Sequence, residues 1–131
     1  MDPIPGYLAV FAGGGLGAAL RHTVNRAAAD LLGTTFPFGT LFVNVTGSLA
    51  MGLLAGWFAF RSAGSTQTLQ LFLTTGILGG FTTFSAFSLD MAVLWERGHA
   101  DLALGYAALS VLASLAGVFL GLWTIRVLTP A

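Results

Sequence analysis

The chain has 131 residues, of which 56% are hydrophobic and 8% charged, and its five basic and five acidic side chains leave no net charge. So few charges cannot cover a water-soluble globule of this size, and with no lysine and no basic run there is no surface for nucleic acid. The absence of cysteine excludes a disulfide framework, thiol chemistry and a cysteine metal site.

Uncharged stretches at 3–20, 31–60, 62–89 and 102–125 each approach or exceed the roughly 20 apolar residues that a membrane-crossing helix needs. They predict an all-α membrane protein with four transmembrane helices in one domain, 1–131, placed over 4–27, 39–60, 68–95 and 102–126. The amino terminus, Met1-Asp2-Pro3, carries no basic segment and no convincing small-x-small cleavage site before Arg21, so the first stretch reads as a retained helix.

Helix 1 contains "GGGLGAAL" followed by Arg21, and Gly13 and Gly17 form a GxxxG pair suited to close helix packing. Arg21 either snorkels to the headgroups or places fixed positive charge at the mouth of an anion path. "GTTFPFGT" at 33–40 forms the first loop, where Pro37 disfavours helix at Phe36. In helix 2, Thr40, Asn44 and Ser48 share a face at spacings of four. Asn44 serves either as an interhelical hydrogen-bonding group or as an amide donor to a permeating anion.

"RSAGSTQ" at 61–67 is the second loop and leads into the segment "GILGGFTTFSAFSLD" at 76–90. Gly79 and Gly80 weaken the helix within a span, so a break is expected near Gly79-Gly80, buried in protein as lipid requires. Phe84 and Phe87 lie on one face beyond it, either as packing or with their electropositive ring edges turned to an anion. "ERGHAD" at 96–101 is the third loop, with Gly98 as a helix stop. In helix 4, Tyr106, Ser110 and Ser114 recur at spacings of four, as a polar track or as hydroxyls bonded to the preceding turn.

Arginines divide evenly between the two membrane faces: Arg61 and Arg126 on one, Arg26 and Arg97 on the other. A balance of this kind permits insertion in both orientations and hence an antiparallel, dual-topology homodimer, an arrangement that larger transporters achieve with inverted repeats.

The stretches "GGLGAALR", "PFGTLFVNVTGS" and "TGILGGFTTFSAFSLD" resemble the signatures of the Fluc family of small fluoride channels, also called CrcB proteins. The resemblance implies an antiparallel dual-topology homodimer in the cell inner (plasma) membrane, with two fluoride pores and a structural sodium ion at the interface, which passively exports toxic fluoride from the cytoplasm. It also implies site roles: Asn44, Phe84, Phe87, Tyr106, Ser110, Ser114 and Arg21 along the fluoride pore, and the backbone carbonyls of Gly79 and Thr82 of both subunits as sodium ligands. Fluoride, sodium, membrane lipid and a second copy of the chain are thus the expected partners, without nucleic acid and without enzymatic activity. Two residues depart from the family pattern: Ala86 stands where many relatives carry threonine, and His22 where an aromatic is common. The rival readings are a small proton-coupled multidrug exporter, which needs a titratable carboxylate within a span and has Asp90 as its candidate, and a non-conducting assembly subunit.

Overall fold

The computed structural model describes residues 2–61 and 64–130. Met1 of the amino-terminal reading and Ser62 and Ala63 of the predicted second loop lie outside the described residues. The described chain is helical, in the order α1 (Ile4–Leu32), α2 (Phe38–Phe60), α3 (Gln67–Leu71), a π-helix (Phe72–Leu78), α4 (Gly79–Phe81), α5 (Phe84–Glu96) and α6 (Ala100–Leu128). Phe38–Phe60, Gln67–Glu96 and Ala100–Leu128 are each long and apolar enough to cross a membrane. The 29 residues of α1 extend about 43 Å at the usual helical rise, while its glycines and Arg21 lower its hydropathy.

Local chemistry sets the helix ends. Asp2 accepts a hydrogen bond from Ile4 N at 3.0 Å at the start of α1, and Gly33, with φ of 82°, ends it by donating to Ala29 O at 3.0 Å. Thr66 caps α3 by accepting from Leu69 N at 3.1 Å. Gly98, with φ of 79°, closes α5 as expected: its N–H reaches Trp95 O at 3.0 Å and that of His99 reaches Leu94 O at 2.9 Å. These two bonds form a Schellman motif, which needs a left-handed residue at that position.

Bare backbone seams hold the bundle together. α1 packs along the π-helix and α4, and α2 packs along α6. A Cβ on Gly13 would stand 2.6 Å from Phe72 O and 3.0 Å from Gly76 Cα, and one on Gly17 would collide with Ile77 O. The predicted GxxxG pair is therefore the contact between α1 and the π-helix. On the other seam, a Cβ on Gly121 would lie 2.6 Å from both Leu49 O and Leu53 N, and one on Gly52 would meet Val118 O. Arg61 Nη2 donates to Leu128 O at 2.9 Å, so the α2–α3 connection and the end of α6 share one face of the bundle.

The break in the third membrane segment falls at Thr82-Thr83 and not at Gly79-Gly80. Gly79 is helical, with φ of −62° and ψ of −37°, whereas Thr82 (φ −86°, ψ 156°) and Thr83 (φ −155°, ψ 120°) are extended. Gly80 is spent on close approach instead, because a Cβ there would collide with Gly14 O of α1. The π-helix, which the sequence reading did not foresee, occupies the stretch pressed against Gly13 and Gly17.

Replacing Gly121 with valine is expected to lower the unfolding free energy by about 1–3 kcal/mol through overpacking against rigid backbone. Gly105→Ala, at a position with nothing within 4 Å of the new methyl, is expected to leave it unchanged or raised by up to about 1 kcal/mol. Thermal unfolding of the purified protein in detergent measures both.

Candidate functional site

The extended Thr82-Thr83 pair leaves backbone groups without helical partners, and three side chains dispose of them. Asn44 of α2 donates from Nδ2 to Thr83 O at 3.0 Å and accepts from Thr83 N at Oδ1 at 2.8 Å. Thr83 Oγ1 then starts α5 as its N-cap, accepting from Ala86 N at 3.1 Å. Arg21 of α1 donates from Nε to Gly80 O at 3.0 Å. Of the two roles open to Asn44 from sequence, the interhelical hydrogen bond is made. One of its two amide hydrogens is thereby committed.

A cavity of about 410 Å³ opens beside this break, between α2, α5 and α6. Its wall brings together Asn44, Phe84, Phe87, Ser110 and Ser114, five of the seven residues expected along the pore, with Ser48, Thr82 and Thr83. Phe84 is 78% exposed on the single chain and its ring lies 5.4 Å from that of Phe87, tilted by 46°.

Ser110 is buried, at 5% exposure, with its hydroxyl close to that of Tyr106 but in no hydrogen bond of good geometry. Other hydroxyls in this chain do bond to the preceding turn: Thr46 to Phe42 O at 2.6 Å, Ser88 to Phe84 O at 3.0 Å and Thr124 to Leu120 O at 2.7 Å. Ser110 therefore lacks the ordinary satisfaction of a serine in an apolar helix. Its Oγ is itself fully enclosed, so Ser110 reaches the cavity wall with its other atoms and the desolvated hydroxyl lies behind them.

Tyr106, one turn away, is fully buried and does not line this cavity. Its ring contacts Phe87 at 5.1 Å and meets Phe36 edge-on at 5.5 Å and 84°, while its hydroxyl donates to Asp90 Oδ2 at 3.0 Å. Asp90 lines a second cavity of about 360 Å³ with Thr40, Asn25, Arg97 and the loop 33–37. Tyr106 thus stands between the two cavities, touching a wall residue of each. The polar stripe of α2 runs past both, with Thr40 on the second and Asn44 and Ser48 on the first. Arg21 lies outside both linings, against the break.

Sequence reasoning missed Thr83, which both receives the Asn44 clamp and caps α5. Its signal was a threonine directly before "FSAF", an N-cap type at the head of a new helix. The bond from Tyr106 to Asp90 was also missed, because 16 residues and a loop separate them.

The gap at the break fits a cation bound by backbone carbonyls. In a continuous helix Thr83 N would bond Gly79 O, and Ala86 N would bond Thr82 O. Here Asn44 takes the first amide and the Thr83 hydroxyl takes the second. Both carbonyls expected as sodium ligands have their helical donors diverted, and together they are a hard-oxygen set suited to a hard cation. Among the described residues there is no cluster of histidine, cysteine or carboxylate side chains able to hold a metal.

Residues 8–122 match the family model described as CrcB-like protein, Camphor Resistance (CrcB). The chain is 58% identical over 123 residues to the "Fluoride-specific ion channel FluC" of Rhodopseudomonas palustris (strain BisB5), a match covering 94% of this chain and 98% of that protein. It is 60% identical over 119 residues to the protein of the same name from Methylobacterium nodulans, with 91% and 94% covered. With that of Hyphomonas neptunium the identity is 52% over 121 residues, covering 92% and 95%. The apolar helices and these relatives together identify a multi-pass membrane protein.

A double-mutant cycle of Tyr106→Phe and Asp90→Ala is expected to give a coupling of about 1–3 kcal/mol, the scale of a buried hydrogen bond. Unfolding free energies of the parent, the two single variants and the double variant measure it, and a coupling near zero would show that the bond carries no stability.

Proposed function

The chain belongs to the CrcB family, and from that premise we propose that it is a fluoride-selective ion channel, which exports fluoride passively from the cytoplasm across the plasma membrane and so relieves fluoride toxicity. The observation that carries this reading is the cavity whose wall brings Asn44, Ser110 and Ser114 together with the Phe84–Phe87 ring pair. Fluoride is small and strongly hydrated, so a path for it must replace water with close donors. Ser114 offers a hydroxyl, Asn44 its second amide hydrogen, and Phe84 and Phe87 their electropositive ring edges; Ser110 and Tyr106 stand behind the wall, with the phenol proton held by Asp90. Several weak sites in series let the ion enter and leave again. Arg21, on the Gly80 carbonyl, adds positive potential near the path. Chloride is larger and fits a shell of short hydrogen bonds poorly.

The assembly belongs to the same proposal: an antiparallel, dual-topology homodimer with two pores and a sodium ion held by Gly79 and Thr82 of each subunit. Support comes from the even arginine tally, from the exposure of Phe84 at a depth where a pore wall needs a protein partner, and from the diverted amides at the break. A bound sodium ion supplies positive charge that holds the carbonyl oxygens of two breaks together. The multidrug-exporter reading is disfavoured, because the hydroxyl of Tyr106 already engages Asp90, away from the cavity of the phenylalanine pair.

In liposomes loaded with both halides, the purified protein is expected to release fluoride rapidly and to retain chloride. Equal rates would defeat the selectivity claim. Phe84→Ile and Phe87→Ile keep apolar bulk but delete the ring edges, and each is expected to slow fluoride efflux about tenfold or more, a loss of about 1.4 kcal/mol or greater. Phe119→Ile, on the outer surface of α6 at 69% exposure, is expected to conduct like the parent. Terminal tags are expected to be accessible from both sides of the membrane; finding every amino terminus on one side would exclude dual topology.

A further inference from the structure

We infer that Asn44 and Thr83 are positioning residues of the cation site, keeping the carbonyls of Gly79 and Thr82 open by taking the two backbone amides that would otherwise close onto them; this rests on the sodium reading above. Each helical carbonyl normally accepts from the amide four residues on. Around the break these pairs are Gly79 with Thr83, Gly80 with Phe84, Phe81 with Ser85 and Thr82 with Ala86. Asn44 Oδ1 holds Thr83 N at 2.8 Å, and Thr83 Oγ1 holds Ala86 N at 3.1 Å. Gly80 O, between the two, receives Arg21 Nε at 3.0 Å.

The three side chains thus act on three of these four pairs, all but Phe81 with Ser85. The carbonyl capped by a guanidinium is closed to a cation, and the two whose donors are diverted stay available as hard oxygen ligands. The Asn44 clamp is also two-sided. By donating to Thr83 O while accepting from Thr83 N, it fixes the peptide planes on both sides of Thr83 and so the direction in which Thr82 O points. Asn44 thereby couples two functions: its amide stands on the wall of the anion cavity while its bonds set the geometry of the cation ligands.

Without Asn44, Thr83 N is free to return to Gly79 O; without the Thr83 hydroxyl, Ala86 N is free to return to Thr82 O. Either change makes sodium compete with a hydrogen bond for an oxygen ligand. The test is a sodium titration of the purified full-length protein at constant ionic strength, with N-methyl-glucamine replacing sodium, read by the sodium-dependent rise in melting temperature. Asn44→Ala and Thr83→Val are each expected to raise the sodium concentration at half-effect by about tenfold, the scale of one competing hydrogen bond, while reaching a folded, cooperative state at saturating sodium. Thr83→Ser, which keeps the hydroxyl, is expected to titrate like the parent.

If the parent responds to sodium and both Asn44→Ala and Thr83→Val keep its midpoint, the positioning role is overturned and the sodium site stands. If the parent itself shows no sodium response, the sodium reading falls and this inference with it. A variant with no cooperative transition even at saturating sodium also counts against it, because the residue then supports the whole fold and not the cation ligands.

Discussion

Inside a membrane an unpaired peptide group has no water to turn to, and at Thr83 one side chain satisfies both the amide and the carbonyl. Asn44 forms the same two bonds that a neighbouring strand would form. It is this pair of bonds that allows an extended dipeptide to exist between α4 and α5. Once the dipeptide is in place, Thr83 can cap α5 and present Phe84 and Phe87 from its first turn, and the carbonyls behind it lose their helical donors. Cavity, ring pair and open carbonyls therefore all follow from a single amide side chain placed by α2.

That placement depends on close packing of the helices. Gly47 stands where the break crosses α2: a Cβ there would collide with Thr82 Cγ2 and lie 3.2 Å from the Phe81 ring. Gly80 does the same against α1, and Gly13 and Gly17 bring α1 onto the π-helix. Small residues are the usual means of bringing helices together in lipid, where no hydrophobic force draws one helix to another. In this chain they also fix the depth at which Asn44 and Arg21 meet the break.

Three of the four expected spans, all but the first, are helices long and apolar enough to cross a membrane, and they were legible because charge and hydropathy mark where lipid ends. They did not mark where helix ends. The first segment, expected over 4–27, continues as helix to Leu32, since Asn25, Arg26 and Asp30 can leave the apolar layer without breaking backbone hydrogen bonds. Gly98 was read correctly because its role is local: a left-handed residue ending the turn before it. The break was read three residues early because glycine signals both flexibility and close approach, and at Gly80 the neighbouring helix decides for the latter. Thr83 has a local signal for its cap of α5, but not for its clamp by Asn44, which lies 39 residues away. The π-helix likewise answers to Gly13 and Gly17 on another helix. The stripes Asn44–Ser48 and Tyr106–Ser110–Ser114 were visible by spacing, yet which hydroxyl stays unbonded depended on the tertiary fold.

The glycine seams have a mechanical consequence. Where backbone touches backbone there is no side chain to re-pack, so α1 with the π-helix, and α2 with α6, behave as two stiff ribs. Between them runs Thr82-Thr83, where Thr82 N still closes on Leu78 O at 3.0 Å and Thr83 is gripped on both sides by Asn44 of the second rib. The break is thus a joint pinned by a side chain, and the start of α5, with the Phe84 and Phe87 rings, is registered to α2 through that pin.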